Sequence, residues 1–337
     1  VSFSGFSQEA KERNQENINV NKFRQLYQEF SSPNMFRTAS GAPGPAYYQQ
    51  QADYKMDIEL DDENKRIYGS ETITYTNNSP DNLEYLWVQL DQNIRKKDSP
   101  SLLIDGGGVS PAYLPSGFTK EFLTDSFDGG FNIEYVVDEN KNPLKHFVNQ
   151  TMMRVDLPNI LKSGESFSFS IKWWYNIQDH VNQDGRSGYE SFDKDGNRVY
   201  IIAQFFPRMA VYNEVEGWQN YQFWGDGEFA LPFGNYDVKI TVPSDHILDA
   251  TGELQNRKNV FSKEMIKRYN KAKKTYDKPV MIVTQAEAEE VEKGFSKKKK
   301  TWHFQAENVR DFAFATSRKF IWDMMAVKIG DKDVMAV

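Results

Sequence analysis

Four histidines, His146, His180, His246 and His303, and a complete lack of cysteine bound the metal chemistry open to this chain. A peptidase zinc of the H-E-x-x-H kind needs two histidines one helical turn apart on one helix face, with a glutamate between them to polarise a water. No two of these histidines lie within a turn of each other, and all four fall in predicted strand or loop. The expectation is four structural histidines and no metal site. Without cysteine there is no disulfide, no thiolate ligand and no thiol nucleophile. No serine or threonine sits in a nucleophile-elbow setting.

Two glycine-containing segments invite a ligand and fail on spacing. Asp193-Lys194-Asp195-Gly196-Asn197 has the opening of a calcium loop. The closing glutamate is missing and Arg198-Val199-Tyr200 returns to strand, so a hairpin turn is expected. Gly106-Gly107-Gly108 is followed by Val109-Ser110-Pro111 rather than a helix with a lysine, so it reads as a turn and not a phosphate loop. Lys297–Lys300 is the one dense basic run and is expected to be a solvated loop. A net charge of −7 argues against nucleic acid as a partner. No apolar run reaches the roughly 20 residues of a membrane span.

The elements that would position any site are strands. The 14% aromatic content favours them. Tyr54, Met56, Ile58 and Leu60 alternate with charged residues, and Ile67, Gly69, Glu71, Ile73 and Tyr75 repeat the pattern after a turn. Tyr85, Trp87 and Gln89 continue it in an expected antiparallel meander. Met153 to Leu157, and then Phe167 to Tyr175, give two more strands. Gln8–Phe30 has helical spacing and stops at Ser31-Ser32-Pro33. Ser262 is placed to cap a helix through Thr275, and Thr284 with Glu287 forms a capping box, with a strand at Lys278–Val283 between them. The fold class is therefore mainly β: a twisted antiparallel saddle or sandwich, with an N-terminal helical extension and a short helical insertion. The expected divisions are 1–46 for the extension and linker and 47–325 for the β domain, with the insertion at 256–294. Residues 326–337 are then either a last strand or the start of a further domain.

Val199–Asn256, which ends in Phe233-Gly234-Asn235-Tyr236-Asp237-Val238-Lys239-Ile240-Thr241-Val242-Pro243 and the turn Thr251-Gly252-Glu253-Leu254, resembles the N-terminal domain of aminopeptidase N-type (gluzincin) zinc metallopeptidases, in their Bacteroidetes-like form. Thr151–Tyr175 and Glu307–Phe314 are similar to further strands of that domain. The resemblance spans roughly residues 50–337. It implies a saddle-like domain that covers a catalytic domain absent from this chain and forms one wall of its substrate cleft. The parent activity it implies is release of N-terminal amino acids from peptides. The family's H-E-x-x-H and G-x-M-E-N motifs are not here, so the segment itself is expected to hold no catalytic residue and no cofactor, with zinc in the catalytic domain. The implied partners are that domain and the peptide substrate. The implied location is periplasmic or extracellular, with a signal peptide removed.

Family relatives carry a Gln-x-Glu or Gln-x-Gln stretch whose second polar side chain helps bind the substrate amine. Gln204-Phe205-Phe206-Pro207-Arg208-Met209 stands there. Phe206 takes the place of that ligand, which leaves Gln204 as the substrate-binding candidate or else as a strand residue beside an aromatic core. Arg208 is expected to be a buried ion-pair partner of an acid such as Asp226 or Glu228. The alternative function is a self-sufficient β-sandwich module for glycan or a cell-surface ligand, with Trp173, Trp174, Trp218 and Trp224 as stacking platforms. Adjacent Trp173 and Trp174 must point to opposite faces of a strand.

Overall fold

The structure, a computed structural model, describes residues 33–101, 127–181, 187–225 and 229–337, with 112, 114–119, 185 and 227 between them. The expected helix Gln8–Phe30 and the triple-glycine turn at Gly106 lie outside the described residues. The chain divides into two units, Val1–Tyr48 and Gln49–Val337. In the first, the Asn34 side chain accepts hydrogen bonds from the backbone N–H groups of Phe36 and Arg37. A bridge joins Arg37 to Pro43.

The second unit is mainly β. In chain order its strands are β1 (Gln51–Asp61), β2 (Arg66–Thr76), β3 (Leu83–Gln89), β4 (Asn132–Asp138), β5 (His146–Asn149), β6 (Met152–Leu161) and β7 (Ser166–Asn176). They continue as β8 (Gly188–Phe192), β9 (Asn197–Ile202), β10 (Arg208–Met209), β11 (Tyr212–Asn213), β12 (Gly217–Trp218), β13 (Gly234–Pro243), β14 (Ile247–Ala250) and β15 (Glu253–Leu254). The last are β16 (Val280–Val283), β17 (Lys299–Val309), β18 (Phe314–Ser317), β19 (Trp322–Ile329) and β20 (Lys332–Ala336).

A seven-stranded sheet runs β15-β17-β13-β1-β2-β7-β4. Two four-stranded sheets, β10-β3-β6-β5 and β14-β18-β9-β8, and the three-stranded β16-β19-β20 accompany it. The expected meander ends at β2. β3 leaves for the second sheet, and β2 takes β7 as its next neighbour. Pairing is antiparallel throughout the large sheet except between β1 and β13, which run parallel with Tyr54 opposite Tyr236.

Alternation places Tyr54, Met56, Ile58 and Leu60 of β1 inward, and Ile67, Ile73 and Tyr75 of β2 beside them. The outer face of the sheet is a hydroxyl ladder, in which Thr72, Thr74 and Thr76 pair with Ser170, Ser168 and Ser166 at 2.8–2.9 Å. Phe205 and Phe206, between β9 and β10, wedge into the inner face. Phe206 packs edge-on to Tyr54 at 5.4 Å, and Phe205 edge-on to Phe314 at 5.3 Å. Burying an aromatic of this size contributes roughly 1.5–3 kcal/mol. Glu71 shares the inner face. Burial pushes its carboxyl well above the usual carboxylate range.

Between Asn256 and Gly294 lie the turn Arg257–Val260 and the helices Lys263–Ala272 and Gln285–Val291. The Ser262 hydroxyl accepts from the Met265 N–H, and the Thr284–Glu287 capping box is complete, as the sequence predicts. The first helix ends at Ala272 rather than Thr275. Phe261 docks this segment against Trp302 of β17 and Trp322 of β19, at 6.1 and 5.5 Å. β19 and β20 form a hairpin, and β19 runs unbroken across residue 325.

The parallel join of β1 and β13 depends on one close approach. A Cβ on Gly234 would stand 1.6 Å from the Ala52 carbonyl oxygen, a backbone atom that cannot turn aside. Gly234→Ala is expected to cost about 3 kcal/mol, the upper end of overpacking, in a urea titration. A change below about 0.5 kcal/mol would show that the two strands part without penalty.

Candidate functional site

Gln204 to Pro207 is a loop, not a strand, and leads straight into β10. β9 ends at Ile202 and β10 begins at Arg208. Gln204 has a left-handed backbone, φ +52°. For a residue with a side chain, that conformation is kept only where surrounding contacts impose it, and such positions concentrate at functional sites.

The contacts that impose it are polar. Arg208 is buried and donates from Nε and Nη2 to Asp91 Oδ2 at 3.1 and 2.9 Å, and from Nη1 to Asp311 Oδ2 at 2.7 Å. The buried-ion-pair reading of Arg208 therefore holds with other acids. Asp226 and Glu228, the acids expected from sequence, lie outside the described residues. Asp91 opens the 3-10 turn Asp91–Arg95 that follows β3, and Asp311 lies between β17 and β18. From the same 3-10 turn, Gln92 Nε2 donates to the Gln204 carbonyl at 2.9 Å. The Met209 N–H donates to the Tyr54 hydroxyl at 2.9 Å. Three separate segments thus grip the stretch from Gln204 to Met209.

The Gln204 side chain is half-buried, and its amide has no hydrogen-bond partner among the described residues. Phe206, where the family resemblance would set the amine ligand, is 0% exposed in the aromatic core. Of the four tryptophans considered as platforms, Trp173 is also 0% exposed and cannot serve. Trp174 faces the other side, as the alternation requires. It is half-buried beside Tyr68, with the Arg66 guanidinium 4.8 Å above its ring. Trp218 is half-buried and packs edge-on to Tyr212. Trp224 is half-buried too.

The histidines are scattered. His146 Nδ1 is 2.9 Å from the Leu144 carbonyl, and His180 Nδ1 is 3.0 Å from that of Gly185. His303 Nε2 is 3.0 Å from Asp237 Oδ1 on the outer face of the large sheet. An open groove on that face is lined by Asp53, Thr72, Thr74, Asp237, Gln305 and Glu307, and does not include Gln204. Among the described residues no group of three or more His, Cys, Asp or Glu side chains could hold a metal ion. The described residues do not fit a zinc. Asp193–Gly196 is the hairpin turn between β8 and β9, with Gly196 at φ +72°. Half of the lysine run is strand rather than loop: Lys299 and Lys300 open β17, and the Lys300 ammonium lies 4.9 Å over the Trp302 ring. Burial lowers its pKa to about 8.

A second charged hub escaped the sequence reading. Arg318 joins Asp62 at 2.8 Å and Asp245 at 2.9 Å, and the Tyr200 hydroxyl donates to Asp62 at 2.7 Å. His246 sits in this hub at 0% exposure, with Nδ1 3.2 Å from the Thr316 hydroxyl. No short-range pattern marks these residues, because their partners come from distant turns.

The sequence matches no protein-family model and no curated protein. Among solved structures, it is similar to an M1 zinc metallopeptidase from Deinococcus radiodurans, with 11% identity and a TM-score of 0.43 over 87% of this chain and 48% of that one. A mutant form of that protein bound to a Tyr-Ser-Ala substrate gives 11% identity and the same TM-score of 0.43, over 85% of this chain and 46% of that one. This chain spans about half the length of those proteins. At such identity and score the likeness carries no activity across. Among the described residues, no helix is long and apolar enough to cross a membrane.

The second hub makes a pH prediction. Burial, then the Arg318 charge, lower the His246 pKa to about 4, against the carboxylates of Asp62 and Asp245. The unfolded chain, with an ordinary histidine near pH 6.5, binds the proton first. His246 therefore contributes stability above about pH 6.5 that is lost as pH falls toward 4, roughly 3 kcal/mol in all. His246→Gln is expected to flatten the fall in melting temperature across that window. An unchanged slope would place the acid sensitivity elsewhere.

Proposed function

We propose that this chain is the non-catalytic N-terminal β domain of an aminopeptidase-like zinc metallopeptidase. It covers the catalytic domain and supplies one wall of the substrate cleft. The sequence resemblance over Val199–Asn256 motivates the reading. The observation that carries it is Gln204: a half-buried amide without a partner among the described residues, on a left-handed backbone, held by a Gln92 hydrogen bond before the aromatic wedge and by the Arg208 ion pairs after it. The parent protein releases N-terminal amino acids from peptides and works in the periplasm or outside the cell. The zinc that the resemblance implies would be held by the catalytic domain, and no residue of this chain is assigned to it.

Within that enzyme this chain binds and orients. A peptide's free ammonium has three N–H donors, and burying it is costly unless oxygens receive them. The Gln204 side-chain oxygen receives one, and the catalytic domain receives the others. The side chain needs a fixed origin to do this, because a misplaced acceptor loses the geometry that orients the scissile bond. The Arg208 clamp supplies that origin.

The test has two stages. The encoding reading frame is expected to continue past Val337 into a G-x-M-E-N strand and then H-E-x-x-H. A stop codon there sinks the proposal. In the longer protein, Gln204→Ala should lower kcat/KM by the equivalent of one charge-assisted hydrogen bond, roughly 1.5–3 kcal/mol, with the melting temperature unmoved. Unchanged kinetics would make Gln204 a structural residue.

A further inference from the structure

Arg95 closes the 3-10 turn whose first two residues hold Arg208 and Gln204. Its backbone is fixed, since its carbonyl accepts from the Gly129 N–H at 2.8 Å. Its guanidinium is half-buried, and its one hydrogen bond among the described residues is a long contact of 3.4 Å from Nη1 to Gln92 Oε1. No acid pairs with it among the described residues. Arg208, which pairs with Asp91 of the same 3-10 turn, has two acids. A guanidinium carries five N–H donors and is never neutral in a protein. Withdrawing such a charge from water without a partner costs several kcal/mol.

The surroundings of Arg95 are also unsatisfied. A Cβ on Gly185 would stand 2.5 Å from Arg95 Nη2 and 2.9 Å from Gln178 Nε2, so the two side chains converge on the same small volume beside that glycine. Gln178 is 3% exposed. Its Nε2 donates to the Ser187 carbonyl, and its Oε1 has no partner. Tyr175, 2% exposed, lies close enough to feel the Arg95 charge, and its hydroxyl has no partner either. Buried polar groups in folded proteins are nearly always hydrogen-bonded, so two orphans around one cation mark a site for something that completes them.

We propose that Arg95, Tyr175 and Gln178 form a binding site for a small carboxylate that also carries an N–H donor, such as a free amino acid. The guanidinium takes the carboxylate, and its planar fork suits two carboxylate oxygens. The Tyr175 hydroxyl donates to the same group. Gln178 Oε1 accepts from the ligand's ammonium. None of the three residues has a role in the function proposed above, so the site stands or falls separately from it.

The purified 337-residue chain is titrated with millimolar glycine in a thermal melt, with methylammonium chloride as the ionic-strength and amine control. Glycine should raise the melting temperature saturably, and methylammonium should not. Arg95→Met should abolish the rise and, with no glycine present, melt no lower than the wild type, because it removes a buried charge that has no counter-ion. Tyr175→Phe should weaken glycine binding about tenfold, as the loss of one hydrogen bond to a charged group predicts. The proposal is overturned if glycine gives no saturable shift, if the shift survives in Arg95→Met, or if Arg95→Met melts well below wild type or does not fold. The last two outcomes would make Arg95 a structural cation.

Discussion

One guanidinium in the interior, that of Arg208, holds together segments that the chain brings from far apart. Asp91 follows β3 and Asp311 follows β17, and both end on Arg208 within 3.1 Å. A charge this deep is tolerated only when it is paired, and removing one member leaves the other stranded at a cost of about 3–5 kcal/mol. The three segments are therefore obliged to meet. Their meeting drives Phe205 and Phe206 into the aromatic core and leaves Gln204 in a backbone conformation that it would not choose alone.

The Arg318 hub works by the same rule with a different result. Asp62 comes from the turn between β1 and β2, and Asp245 from the turn between β13 and β14. Arg318 pairs with both, and its guanidinium also lies 4.8 Å over the Phe295 ring. A neutral histidine is buried against these charges, so this hub carries the acid sensitivity. The Arg208 hub contains no histidine, and its constraint is geometric. The two hubs divide the tasks of fixing a loop and joining sheets.

The strands themselves were legible in the sequence. Alternation in Tyr54–Leu60, Ile67–Tyr75 and Phe167–Tyr175 identifies β1, β2 and β7 because each has one wet face. The caps at Ser262 and Thr284 were legible because a cap is a contact across three residues. The parallel pairing of β1 with β13 left no local trace, and neither did the departure of β3 to another sheet. Gln204 was singled out by resemblance, but its left-handed backbone was not foreseen, since Asp91, Gln92 and Asp311 impose it from a distance. Arg95 gave no signal at all. An arginine in a polar turn looks the same in sequence whether its charge meets water or nothing.

The central claim is that ion pairing, rather than aromatic packing, holds the segment from Ala203 to Ala210. Amide hydrogen exchange on Arg208→Met tests it most directly, because protection reads the free energy of local opening. The account predicts that the Met209 amide and its neighbours in that segment lose protection by at least about 100-fold, in keeping with the cost of stranding Asp91. The amides of Met56 to Leu60 in β1 should keep theirs. Full protection of the segment in that variant would contradict the account and assign the segment's order to Phe205 and Phe206.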